Sequence, residues 1–160
     1  MTRAPKFSPA SGRYRLREIR WTVVREPGQP TLSRRIDNPA TAHELVRELI
    51  PDDDREHFLV LMLNAQNHYY GHFEVSIGTQ SASLVHPREV FGPAIRDGAA
   101  ALLLVHNHPS GDPTPSREDL KLTRELMEAG KLLDIRVHDH IIIGMGTTNF
   151  VSLAQRGAMS

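Results

Sequence analysis

The sequence predicts an α/β protein with a mixed β-sheet and helices on both sides. Short apolar runs suited to strands alternate with amphipathic segments at helical spacing, and turns rich in proline and glycine separate them. The chain has 160 residues and 39% hydrophobic content, enough for one core. We expect a disordered basic tail over residues 1–12, a basic strand-forming arm over 13–35 and one domain over 36–160.

The arm is basic although the whole chain is neutral. Residues 1–35 carry nine Lys or Arg and two acids, whereas the formal net charge of the chain is zero. Residues 14–24 are predicted to form a strand with a bulge near Glu18, because the apolar positions change parity there. Two partners fit the arm: nucleic-acid phosphates, which attract clustered arginines, and the acidic remainder of the domain. We favour the second.

The domain itself is predicted to begin with a helix from Asn38–Pro39 to about Ile50, with apolar residues at helical spacing. A strand hairpin, a second helix and a buried strand follow, and then a loop, a third helix and a last pair of strands. The predicted ranges after the first helix are strands 57–63 and 69–77, helix 87–97, strand 98–105, helix 117–131 and strands 135–143 and 147–151.

Residues 106–119 have the composition of a one-metal site. His106 and His108 stand at the exit of the buried strand, and positions two apart on a strand share a face. Pro109 favours an extended His108, and Asp119 falls in the first turn of the third helix. A strand, a tight loop and a helix start can therefore gather two imidazoles and a carboxylate, donors suited to zinc. Three such ligands leave one position for water.

A second interpretation of Asp119 stays open at this point. Ser116 followed three residues later by an acid resembles a capping box, in which the acid only satisfies backbone donors at a helix start. Aspartate is less usual there than Glu or Gln.

The whole pattern is H-x-H, seven residues, Ser, two residues and Asp, and it resembles the JAMM (JAB or MPN-plus) metalloprotease motif. VHPRE at 85–89, HNHPSGDPTPSREDL from His106 and DIRVHDHIIIG at 134–144 resemble the RadC branch of that family. The resemblance covers roughly residues 52–154. It implies an α/β/α core with a Zn²⁺ ion held by His106, His108 and Asp119.

The same resemblance implies roles for further residues. Ser116 matches the serine that stabilises the oxyanion, and Glu56, just before the first strand, matches the general base of the family. The implied reaction is attack of metal-activated water on a peptide or isopeptide carbonyl. Glu74 and Glu89 compete with Glu56 as the base, although both have ordinary structural explanations. The pair Asp139–His140 is a candidate for supporting a metal ligand through a hydrogen bond.

We therefore expect a zinc-dependent peptidase or isopeptidase acting on a protein or peptide. The alternative is an accessory protein of DNA repair or of a mobile element with a structural or vestigial metal site, and a third hypothesis is a toxin or antirestriction factor. Full-length RadC proteins carry a helix-hairpin-helix region that this sequence lacks, so we expect the short form of the family. A chain without cysteine, signal sequence or membrane segment is expected in the cytoplasm.

Overall fold

The fold is seen in a computed structural model that describes residues 34–78 and 85–159, and within these residues lie three helices and five strands. The predicted tail and nearly all of the predicted arm fall outside the described residues. No described helix has the length and apolarity needed to cross a membrane. The elements in chain order are α1 (Pro39–Leu49), β1 (Glu56–Leu63), β2 (Tyr69–Gly78), α2 (Pro87–Arg96), β3 (Ala101–His108), α3 (Arg117–Leu133), β4 (Arg136–Gly144) and β5 (Phe150–Ser152).

The five strands form one mixed sheet in the order β2-β1-β3-β4-β5. β1 pairs antiparallel with β2 and with β3, β3 pairs parallel with β4, and β4 pairs antiparallel with β5. The parallel pair is joined through α3, since parallel strands need a crossover connection, for which a helix is usual. β3 is therefore the central strand, and the segment after it leads directly into α3.

Helices cover both faces of the sheet, which confirms the predicted fold class. Alternate residues of β1 and β3 point to opposite faces, so each strand contributes to two cores. Leu103 and Val105 pack with α1, whereas Leu102 and Leu104 pack with α2 and α3. Burial on both faces explains why β3 is a continuous apolar run and does not alternate with polar residues.

The position of β3 differs from the prediction by three residues at each end. The sequence suggested a strand over 98–105, but Gly98 adopts a positive φ of 71° and its N–H bonds to Ile95 after α2 ends. At the other end, β4 pairs with β3 as far as His108. The two histidines are therefore part of the strand and do not follow its exit, because a neighbouring strand supplies hydrogen bonds that no local pattern reveals.

Gly130 lies where α3 packs closely against the turn before β4. A Cβ added there would lie 2.5 Å from the carbonyl oxygen of Ile135. We expect Gly130→Ala to lower the free energy of unfolding by about 1–3 kcal/mol through overpacking. Gly92 of α2 is the matched control, because a Cβ there meets nothing within 4 Å apart from its chain neighbours. Gly92→Ala should change stability by less than about 1 kcal/mol, since the gain from replacing a helix glycine is opposed by the restriction that Pro93 places on the residue before it. Chemical denaturation of both variants measures the difference, and a neutral Gly130→Ala would show that the turn yields.

Candidate metal centre

The two histidines of the motif lie side by side at the end of β3. His106 and His108 share the face of the sheet that carries α3, because they are two residues apart on one strand. His106 is 6% exposed and His108 is partly buried. The Nε2 atoms of the two rings lie 2.9 Å apart.

Asp119 reaches the same point from the first turn of α3. Its Oδ1 lies 3.3 Å from Nε2 of His106, and its Oδ2 lies 3.6 Å from Nε2 of His108. Ser116 is the N-cap: its Oγ accepts a hydrogen bond from the Asp119 N–H at 3.1 Å, and its own N–H donates to Oδ2 of Asp119 at 2.7 Å. The capping box and the cluster therefore coexist, since the cap occupies Oδ2 and leaves Oδ1 facing His106.

The spacing of these donor atoms suits a small cation. His106, His108 and Asp119 each offer a ligand atom, and these atoms lie within 4.8 Å of one another. A tetrahedral zinc ion with bonds near 2.0–2.1 Å would separate its ligand atoms by about 3.3 Å. The two imidazole nitrogens lie 2.9 Å apart, and each lies near one carboxylate oxygen of Asp119, Oδ1 at 3.3 Å from His106 and Oδ2 at 3.6 Å from His108, so the separations are close to that value. The chemistry and the spacing of the donors therefore fit a divalent metal.

Burial and hydrogen bonds set the charges in the cluster. Burial lowers the pKa of His106 to about 4, so this ring is neutral. A hydrogen bond to Asp119 raises the pKa of His108 more than burial lowers it. Burial would raise the pKa of Asp119, but hydrogen bonds and the two histidines hold it well below its usual range. A cation entering the cluster meets the anionic carboxylate of Asp119, and it competes with protonation of His108 as pH falls.

The loop after His108 turns back tightly enough to fix the second ring. Nδ1 of His108 donates to the carbonyl oxygen of Asp112 at 2.8 Å, which leaves Nε2 to face the cluster. Gly111 has a φ of 82°, and its carbonyl oxygen would lie 2.1 Å from a Cβ at Gly144. A glycine at the end of β4 is therefore needed for the loop to approach.

Glu56 occupies the first position of β1, beside the end of β3. Phe58 pairs with His106, and Glu56 is two residues before Phe58, so it shares the face of the two histidines. Its charge raises the pKa of His108, in addition to the larger effect of Asp119. The residue is half-buried. Its predicted role as base is thus compatible with its position.

The buried side chain of Asn107 holds the backbone on both sides of Glu56. Its Oδ1 accepts from the N–H of His57 at 2.7 Å, and its Nδ2 donates to the carbonyl of Arg55 at 2.9 Å. The regular β1–β3 pairing ends at Phe58, so this amide continues the ladder where the backbones separate. Glu56 is the residue between the two anchored groups.

The competing glutamates lie elsewhere. Glu74 of β2 accepts a hydrogen bond from Nδ1 of His57, whose other ring nitrogen bonds to Asp53 at 2.8 Å. His57 neighbours Phe58 on β1 and so faces away from the metal cluster. Glu89 lies in the first turn of α2 and pairs with Arg88. Of the three candidate glutamates, only Glu56 lies on the same face of the sheet as the two histidines and next to the end of β3.

Asp139 and His140 contact different parts of the structure. Nε2 of His140 lies 2.8 Å from Nδ1 of His106, so His140 contacts a candidate ligand directly. Asp139 instead accepts hydrogen bonds from Ser152 and from the N–H of Ala154, and it holds the chain that follows β5. His140 therefore supports the cluster, and Asp139 holds the C-terminal segment.

Two functional candidates were missed at the level of sequence, Asn107 and Thr123. Both are fully buried polar residues, at 0% exposure, within otherwise apolar surroundings. Thr123 bonds to the carbonyl of Asp119 and to His140. A polar residue on the apolar stripe of a helix, or inside a buried strand, was the available signal, although it does not name the partner.

Comparison with known proteins places the chain in a described family of domains. The model of the RadC-like JAB domain matches residues 36–158, which is most of the chain. The protein therefore belongs to the RadC-like JAB domain family, as the motif predicted.

Its relatives carry an uninformative description. A UPF0758 protein of Desulforamulus reducens is 57% identical over 113 residues, which are 71% of this chain and 49% of the relative. Another from Geotalea uraniireducens is 50% identical over 125 residues, 78% of this chain and 54% of the relative. A third from Rubrobacter xylanophilus is 46% identical over 140 residues, 88% and 59% respectively. The chain spans about half the length of these relatives, and their names state no activity.

Asp119→Asn separates the ligand from the cap. The amide oxygen still accepts from the Ser116 N–H, while the anionic donor is lost. We expect zinc affinity to fall more than about 100-fold, beyond the 10–100-fold typical of residues that only orient a ligand. Competition with a chromophoric chelator measures it. Glu118→Gln removes a neighbouring charge in the same helix turn and should leave affinity unchanged. Equal zinc binding by Asp119→Asn would make Asp119 a cap only.

His57 should make stability depend on pH. Burial opposes its protonation, but hydrogen bonds to Asp53 and Glu74 outweigh burial and raise its pKa above 6.5. A raised pKa contributes stability that is complete below the unfolded value and is lost as pH rises through the folded value. As pH rises from about 6.5 through the raised pKa of His57, metal-free wild type should therefore lose more unfolding free energy than His57→Gln. Parallel curves for the two proteins would contradict the assignment.

Proposed function

We propose that this protein is a zinc-dependent hydrolase of the JAMM type that cleaves peptide or isopeptide bonds. The observation that carries the proposal is the cluster of His106, His108 and Asp119, at separations suited to zinc and beside the carboxylate of Glu56. Family membership supports it. Because the chain spans about half the length of its relatives, any activity of a protein of their full length is also only proposed.

Zinc is the metal that the donors favour. The cluster offers two imidazole nitrogens and one carboxylate oxygen, a set used by catalytic zinc sites, whereas Mg²⁺ and Ca²⁺ prefer oxygen ligands. Three protein donors leave a position open for the reaction. When bound, zinc would lower the pKa of a water to about 7 and polarise the carbonyl under attack.

Glu56 would serve as the general base. Its carboxylate shares a face with the two histidines and is half-buried, and the Asn107 amide fixes the backbone on either side of it. A carboxylate held beside the attacking water can accept a proton and then donate it to the leaving amine. Glu74 is engaged by His57, which faces the other side of the sheet, so it does not compete for this role.

Ser116 would stabilise the developing negative charge on the carbonyl oxygen. Its Oγ accepts the hydrogen bond from the N–H of Asp119, so the hydroxyl proton is not used by the cap. A well-placed donor of this kind contributes about 3 kcal/mol to the transition state in comparable sites. Ser116 can therefore cap α3 and donate to the substrate at once.

The partners of the chain stay predictions. A protein or peptide substrate follows from the proposed reaction, while nucleic acid as a partner depends on the arm, nearly all of which lies outside the described residues. Among the described residues, no observation favours the alternative role in DNA repair over hydrolysis. The cytoplasm stays the expected location.

Glu56→Gln tests the assignment of the base. In zinc-loaded protein, cleavage of a peptide and isopeptide library should slow by about 10²- to 10⁴-fold, while zinc content stays that of wild type. Glu89→Gln is the control, because Glu89 is an exposed acid on α2, and its activity should match wild type. An equally active Glu56→Gln would remove Glu56 as base. Failure of the zinc-loaded wild type to cleave any library member would contradict the hydrolase itself.

A further inference from the structure

A chain of buried hydrogen bonds runs behind the candidate ligands and joins two of them. Oγ1 of Thr123 donates to the carbonyl oxygen of Asp119 at 2.6 Å and lies 2.6 Å from Nδ1 of His140. Nε2 of His140 lies 2.8 Å from Nδ1 of His106. Thr123 and His140 are 0% exposed, and His106 is 6% exposed. Each of these groups therefore depends on the chain for its hydrogen bonds.

With both rings neutral, the protons in this series of hydrogen bonds have a single consistent order. A backbone carbonyl only accepts, so the one hydroxyl proton of Thr123 goes to Asp119. Oγ1 must then accept from Nδ1–H of His140, whose bare Nε2 accepts from Nδ1–H of His106. The reverse order would leave two oxygens 2.6 Å apart with no proton between them. Nε2 of His106 is consequently unprotonated and faces Asp119 and His108.

We propose that Thr123 and His140 are positioning residues that fix the tautomer of His106 and so present its Nε2 lone pair to the metal. The inference rests on the proposed metal centre but not on the hydrolytic reaction. His108 is fixed in the same sense by the backbone carbonyl of Asp112. Both rings therefore carry their proton on Nδ1, but the acceptors differ. His106 lies deeper in the sheet and donates to a side chain of β4, whereas His108 donates to a backbone carbonyl of the loop.

This series of hydrogen bonds also accounts for the position of Thr123 on α3. A threonine that bonds back to the carbonyl four residues earlier slightly weakens a helix and gains nothing on its own. Here the same carbonyl belongs to Asp119, a candidate ligand, so the bond fixes which way the hydroxyl proton points. Without that hydroxyl, His140 could carry its proton on its own Nε2 and donate it to Nδ1 of His106. His106 would then carry its proton on Nε2, where it would block the metal.

The first measurement concerns the metal-free wild type. Long-range proton–nitrogen correlation spectra of protein labelled with ¹⁵N-histidine report which ring nitrogen carries the proton. We expect Nδ1–H, with an unprotonated Nε2, for both His106 and His140. A protonated Nε2 on neutral His106 would overturn the inference, whatever zinc does. Wild type with the predicted tautomers but no zinc uptake would overturn the metal centre while leaving the hydrogen-bond order established.

The second measurement compares two substitutions of Thr123. Thr123→Val keeps the shape and removes the hydroxyl, whereas Thr123→Ser keeps the hydroxyl. We expect Thr123→Val to bind zinc about 10- to 100-fold more weakly and to shift the His106 tautomer, and Thr123→Ser to retain both properties. Denaturation curves show whether both variants are folded. Equal zinc affinities and unchanged nitrogen spectra in the folded Thr123→Val would overturn the inference, and the wild-type spectra decide it if that variant does not fold.

Discussion

β3 is hydrogen-bonded along both edges, antiparallel to β1 and parallel to β4, and the rest of the structure is arranged around it. The pairing with β4 continues to His108, which holds both histidines in a regular strand. Because the strand is regular, the two rings share a face. Because its partner runs parallel, the chain must cross one face of the sheet on its way to β4, and α3 crosses the face that carries the rings. Asp119 therefore arrives opposite the histidines as a consequence of topology.

Such a centre places many polar groups where water is excluded. His106, Asn107, Asp119, Thr123 and His140 are all at most 6% exposed. An unsatisfied buried polar group costs about 1–3 kcal/mol, so a partly paired network would weaken the domain. Each of these five side chains has a hydrogen-bond or ionic partner. Hydrogen bonds consequently hold these side chains in place, which suits a metal whose ligands must lie at fixed separations.

Two residues combine tasks that seemed to be alternatives. Asp119 both completes the cap of α3 and faces His106, because its two oxygens point to different partners. Ser116 accepts from the helix and keeps its own proton. The charge of Asp119 near the N-terminus of α3 is also favourable to the helix dipole. Under the proposed function, the stability of the helix and the chemistry of the site depend on the same atoms, so substitutions there need measurements that separate the two.

The sequence by itself determined the fold class, the order of the elements, the N-cap of α3 at Ser116 and the identity of the two imidazoles and one carboxylate that could share a site. These depend on strand alternation, helix capping and turn residues, all of which act over a few positions. The tertiary structure decided how far β3 extends, which glutamate stands beside the histidines, and which polar residues support them. His140 lies 34 positions from His106, and Asn107 lies 50 from His57. Contacts over such distances arise from the pairing of β1, β3 and β4, which no local pattern records.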